Sequence, residues 1–298
     1  NTSWDDDFDY SPTDNNLKAG GREFVDKNTD DRYGKYVSVQ NDKTTKVYLK
    51  ENPEPINSGV KNISFDYKFN KTTENDVTTK HPKKEDVLSF NNSADVRKYL
   101  FYANYSNDAP IFKLGKDNVA DWGDPEKTIQ VENDKLYHVD IVMDYDNHIY
   151  TGYVNGEKFA ESKLSESGNE IKKMLLNQDQ TAFFDNYRLS DMNDTSFKID
   201  STTKRNSLYE IKLSEGLSSA SAAAITKDTL AVKNVSTGES VAVKSVEAIG
   251  RRVIFDFDSE LDPGSDYEIT LPENLTNVIG KTLTDRKAVI EGKDLKVE

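Results

Sequence analysis

The sequence predicts an all-β protein made of two successive β-sandwiches. Short stretches along nearly the whole chain alternate apolar and polar residues at period two, the pattern of half-buried strands. Gly, Pro, Asn and Asp punctuate these stretches at short intervals, where turns need them. The chain also carries 15 Tyr, 13 Phe and 2 Trp, rings that suit a pleated, half-buried surface.

The bulk composition narrows the function classes. A length of 298 residues suggests two domains. Charged residues make up 31% of the chain, but its aromatic content supplies the core material that disordered chains lack. The formal net charge of −14 repels phosphate backbones and anionic lipid, which disfavours nucleic-acid partners. The absence of cysteine excludes disulfides, thiolate metal sites and Cys nucleophiles. No apolar run reaches the roughly 18 residues of a membrane span, so no membrane insertion is expected. A start at Asn1 without Met reads as a mature or excised fragment, with further domains in a larger parent chain.

Strand signals then follow in order. Residues 35–40, 46–49 and 62–69 alternate, and in the last Ile63, Phe65, Tyr67 and Phe69 share one face while Ser64, Asp66 and Lys68 take the other. Residues 87–90, 98–105 and 128–131 continue the pattern. A meander spans 137–160: a strand to Met143, the turn Asp144-Tyr145-Asp146-Asn147, a strand to Val154, the turn Asn155-Gly156, and a third strand. The Asn-Gly pair supplies the positive φ values that a type I′ hairpin requires. Residues 181–190 close this part. Helical spacing is predicted at 169–177, where Ile171, Met174 and Leu175 would share a face, and in the Ala-rich 218–226.

The composition changes near residue 195. Beyond it, short strands recur at 208–214, 230–235, 240–249, 252–258 and 266–272, with turns at 236–240 and at Pro263-Gly264. The expected domains are therefore 1–194 and 195–298, with a linker and first strand in 190–207.

Two resemblances follow. Residues 137–159 with "FFDNYRL" (183–189) and an opening "WDDDFDY" (4–10) resemble the concanavalin A-like jelly-roll family, which includes laminin-G-like modules. "LYEIKLSEGLS" (208–218) and residues 253–283 resemble bacterial Ig-like domains of the S-layer-associated type. In the second, a Leu-x-Pro-Gly-x-x-Tyr corner runs from Leu261 to Tyr267, and a buried Tyr267 whose hydroxyl bonds the corner is expected.

The first resemblance implies a choice between sugar binding and catalysis. Glucanases of this family share an E-x-D-x-x-E strand. Here Glu74-x-Asp76 is followed by Thr79, and Glu132-x-Asp134 by Tyr137, so the triad is missing. The three histidines, His81, His138 and His148, are scattered, and no G-x-S-x-G, H-E-x-x-H or phosphate loop occurs. The expectation is a non-catalytic carbohydrate-binding module of an extracellular, secreted or surface-attached bacterial protein. Its ligand would be a polysaccharide or other glycan, with the Ig-like domain as spacer. A structural or adhesive surface module and a hydrolase or lyase with an unrecognised site are the alternatives.

Sugar binding needs ring faces together with planar amides and carboxylates. Trp122, in a polar Gly/Pro loop, either offers such a face or caps the core. Tyr102, Tyr105 and Asn104 lie on one strand, where each ring is either packing or platform. A structural Ca²⁺ is the expected cofactor, held by Asp7, Asp9 and Asp185 if the first and last strands are neighbours. The turn Asp144–Asn147 offers similar ligands but lacks the Gly and Glu of an EF-hand loop.

Overall fold

A computed structural model describes residues 25–39, 47–69, 84–106, 109–117, 119–122, 129–132, 134–176, 182–193 and 196–295. The chain is all-β, with two compact units of contact density. The first comprises 1–30, 35–154 and 158–193, and the second 31–34, 155–157 and 194–298.

Among the described residues, the first unit holds thirteen strands. They are β1 Val25–Asp30, β2 Gly34–Val39, β3 Val47–Ile56, β4 Val60–Phe69, β5 Lys84–Asn91, β6 Arg97–Ser106, β7 Ala109–Lys116, β8 Val119–Trp122, β9 Leu136–Asp144, β10 Ile149–Val154, β11 Glu157–Lys163, β12 Ile171–Leu176 and β13 Ala182–Asp191. One sheet has the order β1-β2-β13-β4-β9-β10-β11 and the other β3-β12-β5-β6-β7-β8. Phe65 and Tyr67 of β4 pack in the core with Tyr137 and Val139 of β9, Phe101 of β6, Phe112 of β7 and Phe184 and Tyr187 of β13. The rings interlock, with Phe65 stacked on Tyr187 at 5.3 Å and Phe112 edge-on to Tyr137 at 4.9 Å.

The Asn155-Gly156 turn has φ of 49° and 77°, as a type I′ hairpin demands. Two sequence expectations are corrected. In place of the helix expected at 169–177, the described residues Ile171–Leu176 form a strand inserted between β3 and β5. Its register shifts between Ile171 and Lys173 and again between Met174 and Leu175. The first shift lets Ile171 and Met174, three residues apart, both enter the core cluster, while Leu175 is buried outside it, so the three imitate a helix face only in their sequence spacing. Residues 129–132 form no strand of the ladder beyond a bridge at Gln130, although the Ile129 carbonyl accepts the Phe112 N–H at 3.1 Å. The expected opening strand at 4–10 and the residues Glu74, Asp76 and His81 lie outside the described residues.

The second unit is a smaller sandwich. Its strands are β14 Ile199–Arg205, β15 Leu208–Leu213, β16 Ala231–Asn234, β17 Ser240–Val241, β18 Val243–Ile249, β19 Arg252–Phe257, β20 Tyr267–Thr270 and β21 Lys287–Ile290. They form two four-stranded sheets, β14-β15-β19-β18 and β17-β16-β20-β21. The Ala-rich segment is a short helix, α1 Ser219–Ala224, whose N-cap Ser218 accepts the Ser221 N–H. The expected corner is present: Tyr267 is buried, and its hydroxyl accepts the Asp262 N–H at 2.9 Å.

Candidate functional site

Alternation in β4, β9 and β13 has a consequence on the side of the seven-stranded sheet away from the core. Apart from Val142, the residues described there are polar, yet most are buried. The register lines them up in rows. Asp185 of β13 pairs with Asp66 of β4, which pairs with His138 of β9. In the next row Arg188, Ser64 and Asp140 align, followed by Tyr153 of β10. The third row is Ser190, Asn62, Val142 and Thr151. A shift in register between Asp185 and Arg188 accommodates Asn186, which sits at φ 52°. The bulge aims both Asp185 and Asn186 at this face.

The centre is a charge cluster. His138 is 0% exposed, Asp140 0% and Asp66 1%. His138 Nδ1 lies 2.8 Å from Asp66 Oδ1, and Nε2 lies 3.3 Å from Asp140 Oδ1. Asn62 Nδ2 donates to Asp140 Oδ1 at 2.8 Å, and Asn186 Nδ2 donates to Asp66 Oδ2 at 2.7 Å. Burial alone would push the His138 pKa down, but the Asp140 charge and the hydrogen bonds to Asp140 and Asp66 outweigh it and hold the imidazole at about 9. His138 is therefore an imidazolium at neutral pH, with both nitrogens committed to carboxylates.

Around this centre, several buried oxygens make no hydrogen bond: Asn62 Oδ1, Ser64 Oγ, Asp140 Oδ2, Asn186 Oδ1 and Ser190 Oγ. An unsatisfied buried acceptor costs about 1–3 kcal/mol, so a local concentration of them marks a place for donors. A rim of half-buried side chains surrounds the centre. Tyr153 is one, with its phenol pKa raised by burial, against Lys158, and by the charges of Glu161 and Asp140. Lys68 lies 3.2 Å from Asp134 and 3.7 Å from Asp30, and Tyr36 of β2 lies close enough to both Lys68 and Asp30 for their charges to act on its phenol.

The residues expected from sequence fall elsewhere. Tyr102, Asn104 and Tyr105 lie on β6 and Trp122 on β8, flanking β7 in the six-stranded sheet. Tyr102 pairs with Lys113, Asn104 with Ile111, Tyr105 with Pro110 and Trp122 with Leu114. Tyr105 is thus out of phase with Tyr102 and Asn104, so the set does not share one face. Only the backbone of these four is described. Asp185 is buried, and its Oδ1 accepts the Asn186 N–H at 2.8 Å, while Asp7 and Asp9 lie outside the described residues. Among the described residues, no group of three His, Cys, Asp or Glu side chains is placed to hold a metal ion. The turn at Asp144 is closed on itself, its carboxylate accepting both the N–H and the side-chain amide of Asn147 at 2.9 and 2.8 Å.

Asn62, Asp66, His138, Asp140 and Tyr153 are not among the site residues expected from sequence, and Asn186 enters only beside Asp185 as a calcium ligand. Their only signal was a run of polar residues in phase on strands that are otherwise apolar. That signal reads equally as a solvated face.

No family profile matches the chain, and no curated protein matches it. Among solved structures it is similar to the N-terminal part of the bacterial S-layer protein SbsC, at 17% identity over 33% of this chain and 23% of that one, with a TM-score of 0.28. It is also similar to the T. cruzi calreticulin globular domain, at 10% identity over 64% of this chain and 88% of that one, with a TM-score of 0.42. A third similarity is to Caenorhabditis elegans galectin LEC-6, at 11% identity over 50% of this chain and 93% of that one, with a TM-score of 0.32. The chain thus spans less than a quarter of the S-layer structure. Among the described residues, no helix is long and apolar enough to cross a membrane.

Proposed function

We propose that the chain is a non-catalytic glycan-recognising fragment of an extracellular bacterial protein, with its binding face on the polar side of the seven-stranded sheet. The observation that carries this is the half-buried rim on that face, Tyr153, Lys68 and Tyr36, set around the ordered cluster of Asp66, His138 and Asp140. Sugar hydroxyls hydrogen-bond to phenol and ammonium groups of this kind. The half-buried ring of Tyr153 beside Asp140 supplies the apolar surface that a pyranose face packs on. The buried charge cluster fixes the rotamers of the centre and so pre-organises the rim.

Binding is favoured over catalysis by the state of His138. An imidazolium tied to Asp66 and Asp140 has no lone pair with which to take a proton. In this reading the first unit is a concanavalin A-like sandwich and the second an Ig-like domain of the S-layer-associated type, both within a longer parent chain. The test is affinity electrophoresis of the full chain in gels containing plant, fungal and host polysaccharides, run with Ca²⁺ and with EDTA. Retardation by one polysaccharide class is expected. Equal mobility in every gel would refute the reading and favour a structural or adhesive module.

A further inference from the structure

The second unit carries a groove of its own, of about 730 Å³, within the size range of ligand clefts. One wall is aromatic. Tyr209 of β15 and Phe257 of β19 meet edge to face with centroids 5.3 Å apart, and the Lys204 ammonium lies 6.0 Å from the Tyr209 ring centre. Leu261 and Pro263 add apolar floor. Asp256, Asp258, Glu260, Asp294 and Lys244 also line it.

Tyr209 belongs to the lining although the residue is only 5% exposed, and it stacks on Phe255 with centroids 5.7 Å apart, so its ring is held in place. The Tyr209 phenol pKa is raised by burial first and then by the Glu260 charge.

The lining selects the ligand class. Carboxylates disfavour anionic ligands, and the two lysines disfavour a compact cation. Hydroxyls can donate to the carboxylates and accept from the ammonium groups, while ring C–H surface covers Phe257. We propose that this groove is a second saccharide site, for a neutral oligosaccharide, so that the Ig-like unit is a binding domain and not only a spacer. The proposal rests on the groove and stands apart from the sheet face of the first unit.

The test is isothermal titration of the full chain with cellohexaose, maltohexaose and mannohexaose. One of them is expected to bind. Tyr209→Phe, which keeps the ring and removes the hydroxyl, should weaken that binding roughly tenfold with an unchanged melting temperature. Phe257→Ala should weaken it as well, and Glu260→Gln serves as a surface variant should Phe257→Ala fold poorly. No heat with any of the three at millimolar concentration would overturn the proposal. So would binding that is lost in Tyr153→Ala but kept in Tyr209→Phe, because it would belong to the seven-stranded sheet. Tyr209-dependent binding of hexalysine in place of the sugars would overturn the ligand class.

Discussion

The Nδ1 atom of His138 lies 2.8 Å from Oδ1 of Asp66, a residue 72 positions earlier in the chain. The register of β4 on β9 makes this pair, by setting the two residues directly opposite each other. Strand order therefore assembles a charge cluster that no local spacing could show. Its energetics follow from the imidazolium. The folded pKa of about 9 exceeds the unfolded value of about 6.5.

The raised pKa of His138 sets a pH window. Its stabilising contribution is fully present below about pH 6.5, declines as pH rises, and is lost above the folded value of about 9. The maximum contribution is about 3 kcal/mol, from the size of the shift. Urea titrations of wild type and His138→Gln at pH 6, 8 and 10 should show a stability gap that narrows as pH rises. A gap independent of pH would contradict a protonated His138.

Gly152 of β10 has no room for a methyl group. A Cβ there would sit 2.8 Å from Leu114 Cδ1 and from Phe159 Cε1 and Cζ, inside the packed core. Gly152→Ala should destabilise the first unit by about 1–3 kcal/mol. A thermal scan with an unshifted midpoint would show that the two sheets are less closely packed there.

The second unit contains a buried ion pair. Arg252 Nη1 lies 2.9 Å from Glu210 Oε1, and Arg205 Nη2 lies 3.1 Å from Glu210 Oε2, with Arg252 1% and Glu210 3% exposed. Glu210→Ala leaves a buried guanidinium without its carboxylate and should cost about 3–5 kcal/mol. Chemical denaturation measures it, and a loss below 1 kcal/mol would mean that other groups carry the charge.

The Tyr267 corner gives a milder case. Tyr267→Phe removes the acceptor of the Asp262 N–H and should lower stability by about 1–2 kcal/mol without changing the denaturant slope. An unchanged midpoint would show that water replaces the hydroxyl at no cost.

Much of the fold was legible because its signals are local. Alternation at Ile63, Phe65 and Tyr67 marked the core face of β4, Asn155-Gly156 marked a hairpin, and the spacing around Pro263-Gly264 marked the corner that Tyr267 closes. Strand β12 was illegible because a register shift brings Ile171 and Met174 into one core three residues apart, and Leu175, buried outside that core, completes the spacing of a helix face. The candidate site was half legible. The alternation assigned Ser64 and Asp66 to the face away from the core, but alternation does not reveal whether such a face is buried. It also could not bring His138 to Asp66, because that depends on which strands become neighbours. Aromatic residues were the natural guide to a sugar site. Among the described residues, however, the large hydrophobic side chains that stand exposed are Val96, Val235, Ile279 and Val289, none of them aromatic.

On the proposed reading, glycan recognition lies on the seven-stranded sheet beside Tyr153 and Asp140. Its most direct test compares Tyr153→Ala with Trp122→Ala in affinity electrophoresis, using the polysaccharide that retards the wild type. Loss of retardation in Tyr153→Ala by a factor of about ten or more in apparent affinity, with Trp122→Ala retarded as the wild type is, is the expected result. Retardation that survives in Tyr153→Ala and disappears in Trp122→Ala would move the site to the six-stranded sheet.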